Sequence, residues 1–187
     1  MKIFAVLPCF NSIDKACFIA KECINYVDHV VCVDDSCPYG TGHKIEKFIK
    51  DQKLTVLYHK MNKGVGGATK TGIIYALEKG ADIIIKIDSD GQMLPEWIPK
   101  LLKPILDGRA EFTKGNRFNH IDIVTKMPKV RLLGNIGLSF LTKLSTGYWE
   151  LFDPTNGFLA IHKDVFKKIS LNKIDNRYFF ETDILFR

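Results

Sequence analysis

Asp88, Asp90 and Gln92 stand at alternate positions directly after the apolar run 83–87. Alternate residues of an extended segment point to one side. This spacing could therefore turn two carboxylates and an amide oxygen toward one hard cation, Mg²⁺ or Mn²⁺. Such ions, when held by one or two carboxylates, normally complete their shell with substrate phosphates. The alternative is a polar turn that ends the strand and caps the next helix. A calcium loop beginning at Asp88 is excluded, because its sixth position requires glycine and Met93 stands there.

A second polar cluster, Asp34-Asp35-Ser36-Cys37-Pro38-Tyr39-Gly40-Thr41, follows another apolar run. Aspartates at a strand end can accept hydrogen bonds from a base or a ribose; equally, they can cap a helix while Pro38 and Gly40 shape the turn. A third segment, Asn62-Lys63-Gly64-Val65-Gly66-Gly67-Ala68, opens a helical pattern. Glycines let backbone approach a ligand closely, and a helix N-terminus attracts phosphate. The run from Gly64 to Thr71 falls one residue short of a P-loop, with Thr69 where the second glycine belongs. An ATPase reading would also leave Asp34, Asp35 and Asp90 without a role.

The elements needed to hold these clusters are legible as alternating apolar and helical patterns. Strands are expected at residues 3–7 (ended by Pro8), 29–33, 54–58, 82–87 and 110–114. Helices are expected at 13–26, 42–50, from the glycine-rich segment through 77, and at 95–106, where proline occupies the first turn. A short strand through residue 161, a helix near 164–169 and a final helix at 179–187 complete the pattern. This βα alternation predicts an α/β fold with a mostly parallel sheet and ligands beyond the carboxyl ends of its strands. The loops after the first, second and fourth strands would then share one crevice.

With 187 residues, 46% of them hydrophobic and 26% charged, the chain is expected to form a single domain spanning 1–187. No apolar run approaches the ~20 residues that a membrane-spanning helix needs. The first ten residues lack the layout of a secretory signal. The expected location is cytoplasmic, with a natural chain that continues beyond Arg187. The net charge of +6 favours anionic partners. Five cysteines, an odd number without a C-x-x-C pair, fit free thiols rather than a disulfide frame or a zinc site. Residues 126–144 are apolar and basic, a pattern that suits either a helix on an anionic membrane face or a core helix with snorkelling lysines.

Together the segments resemble glycosyltransferase family 2, the inverting transferases of the GT-A fold, and within it the polyprenyl-phosphate branch. The matching residues are Pro8 to Asn11 after the first strand, Asp34 to Thr41, Asn62 to Gly72, and Asp88, Asp90 and Gln92. Ser36, Cys37 and Tyr39 depart from the family's usual second loop. The resemblance implies a GT-A (Rossmann-like) three-layer sandwich and transfer from a UDP- or GDP-sugar. The acceptor would be a polyprenyl phosphate at the cytoplasmic membrane face or, alternatively, a glycan hydroxyl; no nucleic acid is involved. Under it, Pro8, Cys9, Asn11, Asp34 and Asp35 would hold the nucleoside, and Lys63, Gly64, Gly66, Asp88 and Ser89 would line the donor site. Asp88, Asp90 and Gln92 would hold Mg²⁺ or Mn²⁺. Arg117 and Arg131 would face phosphates, and Asp183 would be the base for a hydroxyl acceptor. A non-catalytic nucleotide-binding module is the reading from another class.

Overall fold

The computed structural model describes residues 1–116, 134, 137, 140, 143, 144, 147, 149, 153 and 156–187. Their strands are β1 (Ile3–Cys9), β2 (His29–Asp34), β3 (Leu54–Tyr58), β4 (Ile83–Lys86), β5 (Phe112–Lys114) and β6 (Leu159–His162). The sheet runs in the order β3-β2-β1-β4-β6-β5. The first four strands are mutually parallel, and β6 is antiparallel to both β4 and β5. The strand order reverses between β1 and β4, which is where open α/β sheets leave a crevice.

Helices cover both faces: α1 (Ile13–Cys23), α2 (Thr41–Phe48), α3 (Gly64–Glu78), α4 (Ile98–Leu106), α5 (Val165–Lys168) and α6 (Phe180–Phe186). One core layer gathers Leu7, Cys32 and Ile85 against Ile19, Ile45 and Ile98 of α1, α2 and α4. The other gathers Val6, Val33, Ile84 and Ile161 against Ile73 of α3 and Phe180 of α6. Because β1, β2 and β4 are buried on both sides, they read as unbroken apolar runs rather than alternating ones. The result is the expected three-layer α/β sandwich.

Several boundaries differ from the sequence expectation. Pro8 does not end β1; it pairs in register with Val33, one residue short of the strand's end. Its missing N–H costs nothing to the pairing with β4, whose ladder stops at Val6 opposite Lys86. The helix expected at 95–106 begins as a 3₁₀ turn (Pro95–Trp97) before α4. The five cysteines are all free, with Cys9, Cys23 and Cys32 buried.

The reversed direction of β6 decides which residues meet at the polar end of the sheet. Leu159, at its start, lies opposite Lys86 at the end of β4 and Lys114 at the end of β5. The segment leading into β6 therefore reaches the same sheet edge as the polar loops after β1, β2 and β4.

Candidate functional site

At the end of β2 the two aspartates divide their work. Asp34 Oδ1 accepts from the backbone N–H of Cys37 (2.7 Å), and its Oδ2 accepts from that of Gly42 (2.6 Å). It thereby builds the turn into α2, and it is not among the residues lining the crevice. Asp35 does line the crevice. Its Oδ1 accepts from Lys63 N (2.8 Å) and its Oδ2 from Gly64 N (2.8 Å), while His59 Nδ1 lies 2.6 Å from Oδ1. His59 in turn reaches Thr71 Oγ1 in α3 through Nε2 (2.9 Å).

These contacts give the glycine-rich segment a packing role in addition to the expected place at the donor site. The N–H groups that open α3 are held by Asp35, and Gly67 N donates to Asn176 O (2.9 Å). A Cβ on Gly66 would lie 2.5 Å from Asp175 O, and one on Gly64 would lie 2.5 Å from Asn176 O. The glycines thus let the Asp175-Asn176-Arg177 backbone pack on the first turn of α3. Lys63 and Gly66 do not line the crevice; Gly64 does.

Asp88, Ser89, Asp90 and Gln92 form a turn beyond β4 rather than the extended segment expected, and all four line the crevice. Ser89 faces inward, its hydroxyl 2.9 Å from Pro8 O and 2.7 Å from Ser12 Oγ. That anchor ties the turn to the loop after β1 and leaves Asp88 and Asp90 on either side. Asp90 Oδ1 accepts from Gln92 N (2.9 Å). The donor set, two carboxylates and an amide oxygen, has the chemistry a hard cation prefers.

Around Asp88 the structure assembles groups that lie outside the sequence motifs. Lys86, on β4, is 1% exposed, and its Nζ donates to Asp88 Oδ1 (2.6 Å) and to Glu181 Oε1 of α6. Burial pushes the Lys86 ammonium toward neutrality, but the two carboxylates overcome it and hold its pKa above the usual lysine value. A Cβ on Gly157 would lie 1.8 Å from Asp88 Oδ2 and 2.5 Å from Lys86 Nζ, so a side chain there would displace this pair. Lys114 Nζ donates to Asn156 O (2.6 Å). Burial drives the Lys114 pKa down to about 7; Glu181 opposes that fall and Lys86 adds to it. The sequence signals for this cluster are a lysine inside an isoleucine run and the acidic pair Glu181 and Asp183, which resembles the family's late acidic motif.

Asp183 does not reach the crevice. Its Oδ2 accepts from Asp175 N (2.8 Å) and its Oδ1 from Arg187 Nε (2.9 Å). Of the two acidic residues of α6, Glu181 lines the crevice. Asn11 adopts a left-handed backbone (φ 56°), and its N–H points to Cys37 Sγ (3.3 Å), joining the loops after β1 and β2 outside the crevice lining. Arg117, Arg131 and most of the 126–144 stretch lie outside the described residues.

The crevice encloses about 620 Å³, within the range of small-molecule sites. Pro8, Cys9, Phe10 and Ser12 form one wall, and Asn62, Gly64 and Val65 another. Arg177, Tyr178 and Glu181 also line the crevice, Glu181 sharing the Lys86 ammonium with Asp88. Among the described residues no helix is long and apolar enough to cross a membrane.

The α/β sandwich, with an acidic turn at its strand-order reversal, has the architecture of a GT-A (Rossmann-like) fold. The model of "Glycosyl transferase family 2" matches residues 5–170, and the chain belongs to that enzyme family. It is 32% identical to the UDP-N-acetylglucosamine–dolichyl-phosphate N-acetylglucosaminyltransferase of Methanococcus voltae, a match covering 94% of this chain and 75% of that protein. It is 28% identical to the undecaprenyl-phosphate mannosyltransferase of Micrococcus luteus, covering all of this chain and 77% of the relative. The fold matches glucosyl-3-phosphoglycerate synthase from Mycobacterium tuberculosis, solved with Mn²⁺, uridine diphosphate and phosphoglyceric acid. That match has a TM-score of 0.68 and 18% identity, and covers 98% of this chain but only 62% of the solved one.

Proposed function

We propose that the protein transfers a sugar, with inversion, from a nucleotide-sugar donor to a polyprenyl phosphate. The observation that carries this reading is the convergence of Asp88, Asp90 and Gln92 with the loop after β1 and with Asp35 in one crevice. The relatives named for dolichyl- and undecaprenyl-phosphate transfer support the acceptor class.

In this reading Pro8, Cys9 and Asp35 flank the nucleoside, and the Asp88 turn faces the donor diphosphate. Asp88, Asp90 and Gln92 would hold Mg²⁺ or Mn²⁺, which supplies positive charge against the departing nucleoside diphosphate. The chain's own contribution is orientation: Ser89 pins the turn to Pro8 and Ser12, so the carboxylates hold their position while the donor binds. Asp34, Lys63 and Gly66 act one layer further out, as the supports of that crevice. Arg117 and Arg131 remain proposed phosphate ligands of the acceptor side.

The acceptor's chemistry is supported by the fate of the acidic residues of α6. A hydroxyl acceptor needs a carboxylate to take its proton. Asp183 is engaged with Asp175 and Arg187, and Glu181 is engaged with Lys86. A phosphate monoester has its second pKa near ~6 and arrives ionised at neutral pH, so it needs no such base. With a basic sequence at 126–144, the protein would work at the cytoplasmic face of a membrane.

The test is incubation with labelled UDP- and GDP-sugars, Mn²⁺ and a polyprenyl phosphate, followed by organic extraction. Labelled lipid that depends on the metal is expected. Transfer to a glycan hydroxyl but never to the lipid phosphate would overturn the acceptor assignment. Nucleotide-sugar binding without any turnover would favour a binding module.

A further inference from the structure

We propose that Lys86 is a positioning residue for the donor site, a built-in counter-cation that fixes which oxygen Asp88 presents to the crevice. The inference deepens the transferase reading and rests on Asp88 being a metal-holding residue. Its basis is geometric. Lys86 Nζ takes Oδ1 of Asp88 at 2.6 Å and binds Glu181 at the same time. Gly157 lies against the other oxygen, Oδ2, closely enough that any side chain there would collide with it. Asp88 therefore has Oδ1 held by Lys86 and Oδ2 packed beside Gly157, and is left 37% exposed.

The arrangement also balances charge. Asp88, Asp90 and Glu181 converge on a crevice that must admit an anionic diphosphate. With Asp35 and Arg177 of the same lining counted, four carboxylates stand against Arg177 and Lys86, which leaves two net negative charges for a single divalent ion to neutralise. Glu181 anchors the ammonium from the far side, so that Lys86 cannot swing out and compete with the ion. Lys86 belongs to a central strand of the sheet and Glu181 to a helix packed on α3, so the grip belongs to the rigid part of the fold.

The test separates positioning from charge. The double variant Lys86→Met/Glu181→Gln removes one positive and one negative charge, so the formal charge of the site is unchanged. It also avoids leaving either partner buried and uncompensated, the usual reason such variants unfold. Binding of Mn²⁺ alone, read from the free-ion paramagnetic resonance signal, is expected to weaken at least fivefold, with a melting temperature near that of the wild type. Donor turnover is expected to fall further than donor KM rises. Wild-type Mn²⁺ affinity in the folded double variant would overturn the inference. If the double variant does not fold, Gly157→Ala, which leaves every charge in place and displaces Asp88, is expected to give the same loss; wild-type affinity there would overturn it. A wild-type protein that binds Mn²⁺ but turns over no nucleotide sugar sinks the transferase reading alone, whereas one that binds no Mn²⁺ overturns both.

Discussion

Asp34 and Asp35 are neighbours in sequence, yet each secures the start of a different helix. Asp34 Oδ2 accepts from Gly42 N in α2, and Asp35 Oδ2 accepts from Gly64 N in α3. Consecutive residues at a strand's end point to opposite faces, and α2 and α3 lie on opposite faces of the sheet. A carboxylate at either place satisfies orphan N–H groups and favours the positive end of the helix dipole. The paired acids at the end of β2 thus fix the starts of α2 and α3, and of the two only Asp35 lines the crevice.

Asp35→Asn should be destabilising for that reason. An amide offers an oxygen to only one of Lys63 N and Gly64 N, and Gly64 N also has Asn62 Oδ1 at 3.1 Å. In a site that is 2% exposed, the new amide NH₂ is therefore the donor left facing another N–H with no acceptor. A loss of about 1–3 kcal/mol is expected from an unpaired buried donor. Urea unfolding monitored by circular dichroism measures it, and an unchanged midpoint would refute the assignment.

Gly66→Ala tests whether the glycine-rich segment serves packing rather than phosphate. The new methyl would meet Asp175 O at 2.5 Å and Asn176 C at 2.8 Å, both backbone atoms with little freedom to move. Overpacking of this kind costs about 1–3 kcal/mol. Displacing that backbone also moves Arg177 and Tyr178, which line the crevice. Donor KM should therefore rise together with the loss of stability, and a variant with altered KM but wild-type stability would favour direct phosphate contact.

How much of this is legible in sequence depends on how far apart the partners lie. The strands are readable because β1, β2 and β4 are buried on both faces and leave apolar runs, and the acidic turn is readable because its residues are adjacent. The pairing of Lys86 is not, since its second partner, Glu181, is 95 residues away, although a lysine inside an isoleucine run stands out locally. The packing contacts of the glycines are not readable for a physical reason: N–H groups at a helix start donate to a phosphate or an aspartate equally well, and only the tertiary fold brings Asp35 and Asn176 there. The existence of β6 can be read, but not its direction, which brings Gly157 to Asp88.

Lys114 gives a pH dependence whose sign can be worked out. Its folded pKa is about 7, below the ordinary lysine value of 10.5, chiefly through burial. Between those values the unfolded chain holds a proton that the folded chain has released, so stability rises with pH across that window. Below pH ~7 both states are protonated and the burial penalty is fully present. Relative to Lys114→Met, the wild type should gain stability from neutral pH toward pH ~10. Parallel unfolding series measure the gain; an unchanged difference would place the Lys114 titration outside the window.

Asp183 and Asp88 are both acidic, and the structure gives them opposite expected phenotypes. Asp183 joins Asp175 N to Arg187 Nε, so Asp183→Asn should weaken the anchorage of α6 by about 1–3 kcal/mol. Its transfer rate to a lipid phosphate should stay within a few fold of wild type at a temperature where the variant is folded. Asp88→Asn should lower kcat by about 100-fold or more, as loss of electrostatic support for a leaving group does. The contrast matters because a proton-accepting Asp183 would reverse it. If Asp183→Asn lost several orders of magnitude in rate while melting like wild type, the acceptor would have to be a hydroxyl, and α6 would have to turn that carboxylate toward the crevice during turnover.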